Sequence, residues 1–325
     1  MTPIPKTANV SPSTQRNLRR RPLPLKLIVG AILCSFLLFI AVIGPRLAPY
    51  PRDWSEKIAY EMTEEGPVAV YPPRPPSTAH WLGTDRWGYD IFSLILYGAP
   101  WTIFTALAVA CARVFVGACL GLVRGTRAGE APSLRNTGPL GALPHFLVVF
   151  FVMAGINTAS PLHPWQLVLI QGLLMTAVGV PAIASSLSEK VYTHKRAQFV
   201  EAAESLGAGR VRVGIRHIVP MLREDLMLLV LTEVILVLTL LGQLGIFNLF
   251  LGGTKLGLDP PAYYSITNEW AGLIGQSRAS LQVNQWTVLA PLGAFVSAVI
   301  SLYVLLRGLE QWTREGLARH SYLSR

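Results

Sequence analysis

Six stretches of the chain are apolar enough, over long enough runs, to cross a lipid bilayer, and little else in the sequence limits its fold as strongly. A helix rises about 1.5 Å per residue and needs about 20 apolar residues to cross the hydrocarbon. The runs are roughly 27–45, 100–123, 139–156, 165–187, 226–250 and 285–306. The third and fourth come from one uncharged stretch, Asn136–Ser188, which is too long for a single crossing. It is broken at "NTASPLHP" (Asn157–Pro164), so it reads as a tight hairpin of two helices. Only 14% of residues are charged, against about 25% in a soluble domain. Lipid is therefore the expected solvent, and the expected fold is an all-α polytopic membrane protein with six transmembrane helices.

Placement of Lys and Arg sets the orientation. The net charge of +10 is not a nucleic-acid surface, because the basic residues lie in the loops of one side. With the N-terminus inside, segments 1–26, 124–138, 188–225 and 307–325 hold 20 of them. The outer segments 46–99, 157–164 and 251–284 hold 7. The positive-inside rule then puts both termini in the cytoplasm. The basic stretch "RNLRRRPLPLK" is similar to the start of a signal peptide. The apolar run after it is too long for one, and "IGPRLAPY" offers no small-x-small cleavage site, so an uncleaved first span is expected. Cys34, Cys111 and Cys119 sit in apolar runs without ligand spacing and read as small hydrophobes.

The cytoplasmic loop 188–225 contains "FVEAAESLGAGRVRVGIRHIVP" (Phe199–Pro220), a basic, glycine-punctuated cassette between two spans. Ser188 suits a helix N-cap, and Gly207 or Gly209 a left-handed C-cap and turn. "RVRVGIRHIV" then forms a second short element, and Pro220 opens the lead-in to the next span. Ala202 and Ala203 keep one face smooth for a close partner, with Glu201, Glu204, Arg210 and Arg212 beside it. Composition alone leaves a solvated loop equally open.

Spacing says more. Glu201-Ala202-Ala203, three residues, Gly207, then Pro220 thirteen residues on, resembles the EAA signature of ABC importer permeases. His217 stands where the general pattern has Ile, and "RHIVP" resembles the ending found in peptide importers. A second segment, "HWLGTDRWGYDIFSLILYGAPWTI" (His80–Ile103), is similar to the H-x-L-G-T-D-x-x-G-R-D…Y-G-A-R segment of the dipeptide/oligopeptide/nickel permeases, through Gly83, Thr84, Asp85, Gly88 and Asp90. A third, Asn268–Leu305, resembles that family's E-W-G…A-P-W…P-G…L segment. The resemblance covers roughly residues 25–310, and the layout of spans resembles the second permease of the pair.

What the resemblance implies is a type I ABC importer transmembrane domain. Its parts would be a cytoplasmic tail (1–26), a first span (27–45), an outer loop with an interfacial helix (46–99), a five-span core (100–310) and a second tail (311–325). The EAA loop would dock on an ATPase. Expected partners are a second permease, two ATP-binding subunits, an external solute-binding protein and membrane lipid. This chain would bind no cofactor, the ATP and magnesium belonging to the partner ATPases in a bacterial plasma membrane. Two departures are Tyr89 and Pro100, each standing where the family has Arg, which implies non-standard handling of solute at the outer face. A stand-alone secondary transporter is the rival reading, with no inverted repeat or paired broken helices behind it.

The remaining residues fit that frame. In "GTDRWGYD", Asp85 and Asp90 are too few for a calcium loop. A glycine turn capping an amphipathic interfacial helix, with Trp81, Trp87 and Tyr97 at the interface, is the expected use. "LGGTKLG" (Leu251–Gly257) lacks P-loop spacing, and no metal cluster or nucleophile constellation is present to suggest an enzyme. Arg113 and Glu233 lie inside spans, each about 15 Å from its cytoplasmic boundary. Equal depth allows an ion pair between spans two and five. Contact with a partner permease and lining of the solute path stay open beside it. If they pair, reversing both charges restores what each single reversal loses.

Overall fold

The computed structural model describes residues 23–63, 66–128, 143–198, 200, 207, 209–258 and 261–323. In chain order, α1 is Leu25–Leu47, a hairpin of β1 (Ala59–Thr63) and β2 (Gly66–Val70) follows, and α2 is Ile91–Arg127. Then come α3 (His145–Asn157), α4 (Pro164–Lys195), α5 (Arg210–Val213), a π-helical turn (Gly214–Ile218) and α6 (Val219–Ile246). A second hairpin, β3 (Thr254–Leu258) with β4 (Pro261–Ser265), leads to α7 (Trp270–Ser277), a 3-10 turn (Arg278–Ser280) and α8 (Trp286–Leu323). Both hairpins are antiparallel.

Among the described residues, five helices are long and apolar enough to cross a membrane. The third apolar run is carried by α3, whose 13 residues measure about 20 Å; positions 139–142 of that run lie outside the described residues. The break between α3 and α4 falls at 158–163, where Pro164 opens α4 and needs no N–H donor. Asn157 fastens this turn: its amide donates to the Phe250 carbonyl and to Thr254 Oγ1, each at 3.0 Å.

Small residues set the packing. On α2, Gly117, Gly121 and Gly125 form a ridge four residues apart, facing Ile183, Leu187 and Val191 of α4. A Cβ at any of the three would stand 2.8 Å or less from those side chains, so the absent side chains let α2 and α4 run parallel in close contact. Helix α1 lies antiparallel on α8, with Gly30 against Leu305 and Gly308 against Leu27. One apolar core joins Ala106 and Val109 of α2, Met153 of α3, Met175 of α4 and Leu241 of α6. These directions put the start of α1, the end of α8 and the described residues of the 188–225 segment at one end of the bundle, the cassette end. The two β-hairpins share the other, the hairpin end, where Arg86 donates to the Gln276 carbonyl at 3.0 Å and Trp87 packs on Tyr264.

One expectation for the hairpin end is corrected. Residues 91–98 form no separate interfacial helix. They are the first turns of α2, capped by Asp90, and Ile91, Leu94 and Ile95 are buried against α1, α7 and α8 because this end of the bundle carries a second apolar core. The outer segment 251–284 carries a buried helix. Helix α7 is inserted among α2, α6 and α8, with Trp270 1% exposed. Its indole donates to the Ile95 carbonyl at 2.8 Å and its backbone N–H to Thr102 Oγ1 at 3.0 Å.

Candidate functional site

Three places gather the chemistry-bearing residues. At the cassette end, Glu201, Ala202, Ala203 and Glu204 lie outside the described residues. Gly207 has φ +89° and no atom near enough to touch an added Cβ, so a turn in the left-handed region, not crowding, is what calls for glycine there. From Arg210 the chain is helical without interruption into α6. Pro220 cannot donate the hydrogen bond that a regular helix would require, and the π-helical turn immediately before it absorbs that mismatch. Arg212 is exposed. Beneath the cassette, Val200, Val213, Ile218 and Leu222 form a separate apolar core with Val191 of α4, flanked by Leu122 of α2. Lys195 Nζ donates to the Thr126 carbonyl at 3.0 Å, and Lys190 pairs with Asp225. A polar loop is thus fastened to the feet of three membrane helices.

Inside the bundle, Arg113 Nη1 donates to Glu233 Oε2 at 3.0 Å, and the two side chains are 3% and 9% exposed. Arg113 Nε and Nη2 both donate to the Met175 carbonyl, at 3.0 and 2.7 Å. The guanidinium lies against Gly179, where a Cβ would come within 2.5 Å of Nε. Of the open readings, the salt bridge is the arrangement present, and it spans three helices. It also borders a cavity of about 410 Å³. A buried pair contributes little net stability, but loss of one partner strands the other charge at a cost of about 3–5 kcal/mol.

At the hairpin end, Asp90 Oδ2 accepts the Ser93 N–H at 2.8 Å and the Ser93 hydroxyl at 2.7 Å, capping α2. Its Oδ1 faces His80 Nδ1 at 3.0 Å, while His80 Nε2 faces Glu56 Oε2 at 3.2 Å. Arg74 pairs with the same Glu56 oxygen. That guanidinium, helped by His80, holds the Glu56 carboxyl below its usual range against the opposing effect of burial. Asp85 Oδ1 accepts the N–H groups of Trp87 and Tyr89 at 2.9 Å each. Burial nevertheless pushes its carboxyl up to about 7, with the backbone donors and Arg86 pulling the other way. Gly83 and Gly88 take φ +76° and +84° in this loop, and the Thr84 hydroxyl accepts the Arg74 N–H. The two aspartates are committed to the loop's own backbone, a helix cap and a histidine. A cavity of about 540 Å³ opens beside them, lined by Arg52, Asp53, Lys57, Lys255 and Tyr89 among others.

The profile of the family described as "Binding-protein-dependent transport system inner membrane component" matches residues 139–315. This chain belongs to that family. The matched region contains the cassette, Glu233, the inserted α7 and the last span. The family member is 26% identical over 302 residues to the glutathione transport system permease protein GsiD of Escherichia coli O1:K1, covering 90% of this chain and 86% of that one. It is 28% identical over 253 residues to the dipeptide transport system permease protein DppC of Bacillus subtilis (76% and 68%). With the oligopeptide transport system permease protein OppC of the same organism it shares 27% over 290 residues (87% and 83%). It is therefore a transport permease, and the gradient-driven rival has nothing in these matches to support it.

Among the permease residues singled out from sequence, Asp85, Gly88 and Asp90 come together in one loop, and Arg113 meets Glu233. Tyr89 lines the outer cavity and its carbonyl accepts the Asp85 N–H. Pro100 lies inside α2 and lines a separate, apolar cavity. Sequence reasoning missed His80 as the link between Asp90 and Glu56, and His145, Thr239 and Gln243 beside the ion pair. His80 opens the quoted outer motif, so it was within view. The other three carry no local signal beyond being polar within apolar helices.

Proposed function

We propose that this permease is one of two membrane subunits of an ATP-driven peptide importer in a bacterial plasma membrane, with both termini and the cassette in the cytoplasm. The observation that carries the reading is the cassette's attachment: a polar, basic loop with an apolar core of its own, seated on α2, α4 and α6. A solvated connector needs no such core. The 20-to-7 distribution of basic residues supports the orientation, and the names of the three relatives support peptides as the solute class.

Two ATP-binding subunits hydrolyse ATP with magnesium. Their closure pushes the segment that contains Glu201, Ala202 and Ala203. Gly207 turns the chain so that the push enters α5 and α6, while the apolar core under the cassette passes it to α2 and α4. Access to the path between this chain and its partner permease then alternates. At the outer face, an external binding protein delivers the solute against the hairpins and the cavity lined by Arg52, Lys57 and Lys255, with Tyr89 in place of the usual cation.

The test is to tag this chain, extract it gently from its native membrane and identify what co-purifies. A second permease with two ATPase chains is the expected result. A chain that stays alone, in detergents that keep comparable complexes intact, would overturn the reading.

A further inference from the structure

We propose that the cavity beside Arg113 and Glu233 is a contact point for the transported solute that selects a positively charged group, with the second carboxylate oxygen of Glu233 taking a protonated amine. The cavity, about 410 Å³, is walled by Arg113, His145, Gly179, Glu233, Thr239 and Gln243, with apolar residues between them. Three of the five Arg113 N–H groups go to Met175 and to Glu233 Oε2, and its side chain is 3% exposed. Glu233 keeps acceptor capacity: among the described residues only its Oε2 carries a hydrogen bond, and the residue lines the cavity wall. The accessible formal charge on this wall is thus the carboxylate's, with Arg113 behind it.

The remaining polar groups point to a wet or protein-facing wall. Thr239 and Gln243, one turn apart on α6, are exposed in this chain, and His145 at the start of α3 is half-buried. So many polar side chains at this depth are costly against hydrocarbon and instead face protein or a water-filled path. An amine donor there finds Glu233 Oε1, the Gln243 carbonyl oxygen and the Thr239 hydroxyl as acceptors. The inference rests on the importer reading only in calling the ligand a solute; the charge selectivity of the cavity is measurable without any transport.

The experiment uses the intact transporter in membrane vesicles, with Cys34, Cys111 and Cys119 replaced by Ser and a single Thr239→Cys or Gln243→Cys introduced. Modification rates are compared for a permanently cationic thiol reagent, (2-(trimethylammonium)ethyl) methanethiosulfonate, and its anionic 2-sulfonatoethyl counterpart. Each rate is divided by that for a free thiol. The pH is about 8, above the ordinary range of an imidazole, so that His145 contributes no charge. A cation preference of about tenfold is expected from one nearby carboxylate in a partly screened site. It should persist in Glu233→Asp and fall towards one in Arg113→Gln/Glu233→Gln, which removes both charges and strands neither. Equal rates for the two reagents, a preference unchanged by neutralising the pair, or no reaction with either reagent at both positions would each overturn the proposal. Failure of the importer reading would show separately, in the co-purification.

Discussion

Replacing Gly125 by Ala isolates what the glycine ridge contributes. A Cβ there would stand 2.6 Å from Val191 Cβ and 2.7 Å from the Ser188 carbonyl oxygen. Ordinary carbon contacts lie at about 3.5–4.0 Å, so the overlap is about 1 Å. The Ser188 oxygen is backbone, so relief requires α2 and α4 to part rather than a side chain to turn. Overpacking of this kind costs about 1–3 kcal/mol. In water the change would recover about 1 kcal/mol of helix propensity. In a bilayer the separated segments are helical too, which shrinks that gain. The matched control is Gly293→Ala in α8, where an added Cβ meets nothing within 4 Å. Thermal unfolding of the purified assembly in detergent should show Gly125→Ala less stable by about 1–3 kcal/mol, and Gly293→Ala near wild type. Equal stability of the two variants would refute the argument that close approach, not helix propensity, places glycine at 125.

Three further outcomes are expected. Asp85 has a folded-state pKa of about 7 against 3.8 for the free carboxyl. The native loop therefore binds the proton more tightly, and stability falls as pH rises from about 4 to 7; Asp85→Asn, which keeps the acceptor oxygen, should flatten that dependence in a pH series of melting curves. Gly207→Val forces a β-branched residue to φ +89° in open space, so the protein should insert and assemble normally while solute-stimulated ATPase activity and uptake come apart. Unchanged uptake per ATP would argue against the turn's role. Because Arg113 also holds the Met175 carbonyl, the double reversal Arg113→Glu/Glu233→Arg should not recover the stability lost by either single change, whereas Arg113→Met/Glu233→Leu should; full recovery by the reversal would mean that the pair acts through charge alone.

That last expectation differs from the one drawn from sequence, and the difference shows where sequence reading stops. Residue counting put Arg113 and Glu233 at equal depth, because helical rise is uniform. It could not name Met175, since any carbonyl on the neighbouring helix is chemically the same. The long spans were legible because lipid demands long apolar runs. Helix α7 was not: "WAGLIGQS" is eight residues, and only its burial between three helices makes it part of the bundle. The four-residue spacing of Gly117, Gly121 and Gly125 stands in the sequence, yet it becomes meaningful only once Ile183, Leu187 and Val191 lie opposite. The β-hairpins follow a common rule of turn residues between β-favouring stretches, as in "AYEMTEEGPVAV", overshadowed here by the apolar spans. The cassette was legible as a motif, while its apolar core was not, because the core draws on residues of four separate segments.

The unbroken helix from Arg210 through the π-helical turn to Ile246 has a mechanical consequence. Its 37 residues make a lever about 55 Å long. A tilt of about 5° at its foot carries the far tip through about 5 Å. That tip runs directly into the buried Phe250–Thr254 segment, which grips Asn157 at the end of α3 and the Thr267 hydroxyl near α7. A push too small to separate packed helices at one membrane face would therefore arrive, multiplied, at the joint that holds the other face together.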